Sequence, residues 1–286
     1  MKVHAYKVEV APSSEPLDAV LEQIEAENSP RRRIRLINHV ELRAEAIVSD
    51  NGLWLLDFVR IRTTHGPGKV GRDSEVEGFE FDEEEGFGEE TAALYDPGTG
   101  YLLVQYNHHG VRFGVMADYF SAFNEAVVNL YTLKPKFDED VERRLIGQGI
   151  TKKLAFTIDV GRMSAQDIQR GAPLSKALDY GVESGADKIK VEISVRGDKS
   201  RSLSERVQDA LGALRSMAGH NEDAVTKLEV SGKESADSIT EVLDLLGHRL
   251  SIEFNDLTPG ADLRYSRDDR WNALKRARNG WARILV

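Results

Sequence analysis

Apolar positions along the first 135 residues recur with two different periods. Over residues 2–10 they alternate, with His4, Tyr6, Val8 and Val10 on one side, which predicts a half-buried strand. After Ser14 and Pro16, Leu17, Val20, Leu21 and Ile24 fall at i, i+3, i+4 and i+7, the stripe of an amphipathic helix that Pro30 and an Arg run terminate. Residues 34–48 and 53–62 are predicted strands joined through Asp50-Asn51-Gly52, since Asn-Gly accepts the positive φ of a tight hairpin turn. From Thr63 to Glu90 periodicity stops and Gly recurs, which predicts a long loop of the kind that is usually functional or disordered. Order is expected to resume at Ala92 with a second hairpin, built from residues 92–96, the turn Pro97-Gly98-Thr99-Gly100 and residues 101–106. A helix follows with Val115, Met116, Tyr119, Phe120, Phe123 and Val127 on one stripe. Pro135 closes it, and Lys134 to Asp140 reads as a linker.

The second half alternates strands with helices. Leu154, Phe156, Ile158 and Val160 predict one strand, and Ile189, Val191, Ile193 and Val195, alternating with polar neighbours, predict another. Broken helical segments surround Pro173. Ser202 and Glu205 form a capping-box pair before a helix carrying Leu203, Val207, Leu211 and Leu214. Residues 224–230 and 249–254 are further predicted strands. A last helix over about 266–284 puts Trp271, Leu274, Trp281 and Leu285 on one apolar side, which suits packing against a core.

With 286 residues the chain suits two domains better than one. The expected fold class is α+β. Residues 1–135 would form an N-terminal domain of antiparallel hairpins and helices with a Gly-rich and acidic loop at 63–90. Residues 141–286 would form a C-terminal α/β domain ending in a basic helix. No apolar run approaches the roughly 18 residues of a membrane span, so no direct membrane insertion is expected. The start MKVHAYKVEV has no apolar signal region, and the expected location is cytoplasmic. Zero Cys excludes disulfides, thiolate catalysis and zinc–thiolate sites.

Charge changes the picture. There are 48 Asp and Glu against 38 Lys and Arg, a net charge of −10. Asp73 to Glu90 alone holds ten carboxylates and no Lys or Arg, so the rest of the chain is balanced. A balanced body with clustered Arg can bind a polyanion, because the local field matters more than the sum. Arg31, Arg32, Arg33 and Arg35 form one cluster. Arg60, Arg62, Lys69 and Arg72 form a second, around Thr63-Thr64-His65-Gly66-Pro67-Gly68, where Gly lets backbone N–H groups approach a phosphate while cations neutralise it. Arg267, Arg270, Lys275, Arg276 and Arg278 surround the Trp-bearing side of the last helix. All thirteen are candidate nucleic-acid contacts; the alternative is a set of solvated surface charges. The acidic loop, with Phe79, Phe81 and Phe87 interspersed, could shield a basic surface, mimic nucleic-acid charge or only solubilise.

Signs of catalysis are few. Adjacent His108 and His109 make a poor metal pair on a strand, because successive side chains point opposite ways. A nuclease would need an acid followed by an Asp/Glu-x-Lys pair on the next strand. Asp96 is followed by Gln105, and Asp187 leads into Lys188-Ile189-Lys190, so neither fits. There is no Walker loop, nucleophile elbow, zincin pair or dinucleotide fingerprint. No catalytic residue, metal ligand or cofactor is assigned.

The stretch LYDPGTGYLLVQYNHHGVRFGVMADYF resembles the RexA-type phage-exclusion proteins of lambdoid phages. Leu17 to Glu27, Asn51-Gly52-Leu53-Trp54-Leu55-Leu56, and KIKVEISV with the Ser202-capped helix are similar in pattern, over about residues 1–250. The acidic loop and the Trp-bearing basic end depart from that pattern. The resemblance implies a homodimeric, sequence-tolerant binder of double-stranded DNA acting in phage exclusion or antiphage defence, with a separate membrane protein as effector. Two alternatives stand beside it: a divergent metal-dependent nuclease, and a protein–protein adaptor that does not bind DNA.

Overall fold

The computed structural model describes residues 1–37, 39–123, 130–163, 165–221 and 223–286. The chain runs β1 (Lys2–Val10), α1 (Leu17–Ala26), β2 (Ile34–Ile37), β3 (Val40–Asp50), β4 (Leu53–Arg62), β5 (Phe87–Asp96), β6 (Tyr101–Tyr106), α2 (Phe113–Phe123) and β7 (Tyr131–Pro135). It continues with α3 (Glu139–Gly147), β8 (Ile150–Asp159), α4 (Ala165–Arg170), α5 (Ser175–Glu183), β9 (Lys188–Ser194), α6 (Arg206–His220), β10 (Val225–Lys233), β11 (Glu241–Asp244), β12 (Ser251–Glu253) and α7 (Arg267–Gly280). The fold is α+β, with two antiparallel sheets that each carry a core. The first has the order β12-β1-β6-β5-β4-β3-β2, with β7 also paired to β1, and the second β11-β10-β8-β9.

Both hairpins with strong turn chemistry form in the expected register. Asp50 lies opposite Leu53, with Asn51 and Gly52 at φ 51° and 78°, and Asp96 lies opposite Tyr101. β1 is more buried than an alternating pattern suggests. Tyr6 and Val8 face a core made with α1 and α2, while Val3 and Ala5 face a second core on the opposite side. It is therefore a central strand covered on both faces, paired to β6 along one edge and to β12 and β7 along the other.

The structure corrects several expectations. Residues 34–48 are two paired strands, with Ile37 opposite Val40 and His39 in the reversal at φ 64°. The supposed linker from Lys134 begins inside β7 and runs directly into α3, whose N-cap Asp138 accepts from the Val141 N–H. Ser202 caps no helix: α6 starts at Arg206, and Ser202 Oγ instead accepts from the Thr151 N–H. β5 begins at Phe87, five positions before Ala92. Its first ring clusters with Phe79 and Phe81 at centroid distances of 4.8–6.2 Å, and Gly66 lies so close to the Phe87 ring that no Cβ would fit. On the α2 stripe, Val115, Met116, Tyr119, Phe120 and Phe123 pack on the first core; Val127 lies outside the described residues.

The largest correction concerns residues 141–286, which are not one domain. β12 pairs with β1, and α7 buries Ala273, Leu274 and Ala277, with Trp281 and Leu285, against Leu55, Leu94 and Leu103 of the first sheet. Trp271 Nε1 donates to the Leu56 carbonyl at 3.0 Å. The reason is apolar area: the face holding Val3, Leu55, Ala92, Leu94 and Leu103 needs a cover, and among the described residues no helix from the first half supplies it. Residues 136–245 form the second module, where α6 and α5 cover β8 and β10 around Leu154, Phe156, Leu214 and Leu228.

Candidate functional site

The thirteen candidate cations do not form one surface. In the first cluster, Arg33 donates from Nε to the Glu27 carbonyl at 2.6 Å and from Nη2 to that of Glu25, neutralising the C-terminal end of α1. Arg35 donates from Nη1 to the Arg32 and Ile34 carbonyls and lies over the Phe123 ring. Arg31 meets Glu84 at 3.3 Å, with both side chains about 80% exposed, and Arg32 stands 3.9 Å from Glu27. In the second cluster Arg62 pairs with Glu89 at 3.3 Å. The Lys69 backbone bridges to Glu77, and Arg72 is exposed on the loop. The register does bring Arg35 and Arg60 together: Arg35 is opposite Leu42, and Leu42 opposite Arg60, one row across β2, β3 and β4. Residues in such a row share a face.

The cations of α7 hold the helix to the sheet. Arg270, 3% exposed, makes a bidentate contact to Asp57 (2.6 and 3.0 Å), and Arg267 Nε donates to the same carboxylate at 2.9 Å. Lys275 donates to Asp50 at 2.6 Å, Arg276 to Asp256 at 2.8 Å and Arg278 to Asp96 at 2.9 Å. Arg270 is thus corrected from a nucleic-acid contact to a buried structural cation. Arg267, Lys275 and Arg278 already serve acids of the sheet, and Arg276 pairs with Asp256 just beyond β12.

A further site lies between the two modules, and of the thirteen candidates only Arg60 lines it. It is a cleft of about 830 Å³. One wall carries His39, Arg60, His108 and Arg112, and the other Arg162, Asp167, His220 and Asp223. Among the described residues Arg60 has no ion pair. Arg162 is shared between Asp159 and Asp223, each at 3.5 Å. The segment Asn107–Arg112 is positioned from the sheet: Asn107 Nδ2 donates to the Glu90 carbonyl at 2.8 Å, and the Val111 N–H donates to Thr91 Oγ1 at 2.8 Å. Arg112 lies over the Tyr106 ring, 5.4 Å from its centroid.

Beneath the cleft, buried charges join the modules. Asp118 of α2 faces Arg170 of α4 at 3.6 Å and His220 Nε2 at 3.3 Å, and His220 Nε2 is 3.7 Å from Asp167. Asn221 donates to Asp167 at 3.2 Å. The helices meet here because Gly114 has no side chain: a Cβ would fall 1.7 Å from the His220 carbonyl oxygen. Neither Asp118 oxygen has a hydrogen bond of ordinary geometry among the described residues, and poorly satisfied buried groups concentrate at functional sites. Burial pushes Asp118 up to about 7, opposed by the Arg170 charge and reinforced by Asp167. Burial, with Arg170, lowers His220 to about 3, so its imidazole is neutral.

The signs of the two effects are opposite. Asp118, raised from an ordinary 3.8, contributes stability that is full below about 4 and lost as pH rises through about 7. His220, depressed from 6.5, contributes stability that is full above 6.5 and lost as pH falls through about 3. Asp118→Asn should therefore remove the loss that Asp118 contributes as pH rises from about 4 to 7, leaving in place the opposite loss from His220 as pH falls from 6.5 toward 3. Denaturant midpoints across that range check this, and curves parallel to wild type would contradict it.

Sequence reasoning missed Arg112, Arg162, His39, Asp118, Asp167, Arg170 and His220. Asp118 carried the one local signal, a carboxylate inside the apolar run of α2. Of the paired acids considered for a nuclease, Asp96 is engaged by Arg278 and by the Gly98 N–H.

The family of unknown function DUF6731 matches residues 16–263, and the chain belongs to that family. Every cleft residue named above falls inside the matched span, and α7 lies beyond it. No curated protein matches the sequence.

Proposed function

We propose that this DUF6731 member binds the phosphate backbone of nucleic acid, with low sequence specificity, in the cleft between its two modules. The observation that carries this reading is the convergence of Arg60, Arg112 and Arg162, from three separate segments of both modules, on one cavity. Guanidinium groups match phosphate oxygens in geometry and charge. Of the two carboxylates on the lining, Asp167 is offset by Arg170 behind it, and Asp223 shares Arg162. Among the described residues, nothing in the cleft offers the helix-in-groove arrangement of sequence-specific readers. Among the described residues the acidic loop meets the early Arg cluster through the exposed Arg31–Glu84 pair, and such pairs contribute about 0–1 kcal/mol, so it shields that cluster weakly.

The test is fluorescence anisotropy of labelled oligonucleotides of several sequences at about 50 and 200 mM salt. The expected result is binding that falls steeply with salt and barely changes with sequence. No binding at the lower salt contradicts the proposal. The RexA-type resemblance would put this binding to use in phage exclusion. Plaque counts with wild type and with Arg60→Glu/Arg112→Glu/Arg162→Glu test that setting.

A further inference from the structure

We infer that the occupant of the cleft is an extended single strand of nucleic acid, not a duplex; this rests on the backbone-binding reading above. Size is the first reason. A cavity of about 830 Å³ lies within the range of about 300–1,000 Å³ typical of sites for small organic ligands. It takes one or two nucleotides at a time. A duplex, whose major groove alone is about 12 Å wide, could touch only the rim.

The second reason is the kind of side chain beside the guanidinium groups. His39 and His108 are exposed at the cleft, and the His109 ring stands edge-on to His108 at 5.0 Å. His39 has φ 64°, the positive φ of the tight turn between β2 and β3, which presents its ring on the loop side of the cleft wall. Arg112 lies over Tyr106, its guanidinium carbon 5.4 Å from the ring centroid. Proteins that bind single strands combine a cationic groove with rings or guanidinium planes on which unpaired bases stack. A duplex leaves no base face free for such rings. Stacking on any base also explains how the site could be tolerant of sequence.

The experiment uses the full chain and three probes of one length, a thymidine 12-mer, an abasic 12-mer and a 12-base-pair duplex, with thymidine monophosphate as competitor. The thymidine strand should bind about tenfold more tightly than either the abasic strand or the duplex. His108→Ala should weaken the thymidine strand about fivefold and leave the abasic strand unchanged. Equal affinity for thymidine and abasic strands overturns the inference, since charge alone would then be read. Tighter duplex binding overturns it too, as does displacement of the strand by equimolar monophosphate, which would mark a site for a free nucleotide. If no probe binds at low salt, the backbone-binding reading itself fails, and that outcome is distinct from the other three.

Discussion

Replacing Arg270 by Met should lower stability by about 3–5 kcal/mol, because it leaves the Asp57 carboxylate buried with only the half-exposed Arg267 as a partner. At roughly 2–4 °C per kcal/mol for a chain of this size, melting should fall by on the order of 10 °C. The cause is desolvation: Asp57 is fully buried, and a carboxylate without its fork of N–H donors is far costlier there than in water. The double variant Asp57→Leu/Arg270→Met should recover much of the loss, since it removes both charges and keeps apolar volume. A loss below about 1 kcal/mol for Arg270→Met would mean that α7 is held by its apolar stripe alone.

The second large effect is on binding. Reversing Arg60, Arg112 and Arg162 to Glu should weaken nucleic-acid binding on the order of 100-fold, at roughly 1 kcal/mol for each lost phosphate contact. Arg276→Glu, on the exposed outer side of α7, should change it less than about threefold. It sits on the opposite face of the sheet from α2, where it pairs with Asp256. Circular dichroism shows whether the triple variant is folded, and none of the three cleft arginines is buried. Similar losses for both variants would point to net charge, not to the cleft.

What could be read from the sequence was local. The turns at Asn51-Gly52 and Pro97 to Gly100 specify their hairpins through residues three to five apart, and the stripes of α1 and α2 report burial on the first core. The destination of α7 was not legible. Its Trp side announces burial without saying against which sheet, and the answer depends on Val3, Leu55 and Leu94, more than 170 positions away. Charge clusters misled for a similar reason. A run of Arg shows positive potential, yet Arg33 closes a helix end and Arg278 answers the hairpin's Asp96. Partners settle what a cation does, and partners are set by the fold. The cleft draws on positions 39, 60, 112, 162 and 220, so no window of the chain contains it. Only Arg60 could be marked in advance.

The buried charges under the cleft connect stability with function. Asp118 lies on the first module, while Asp167, Arg170 and His220 lie on the second, so these contacts join the two walls of the cleft. A chain that binds in the cleft also bridges the modules, and should raise the melting temperature as any ligand of the folded state does.

The most direct measurement is the salt dependence of single-strand affinity for wild type and for the Arg60/Arg112/Arg162 reversal. Each lost phosphate contact removes about 0.7 from the slope of log affinity against log salt, so the slope of the variant should be shallower by about 2. An unchanged slope would show that the strand lies elsewhere on the protein.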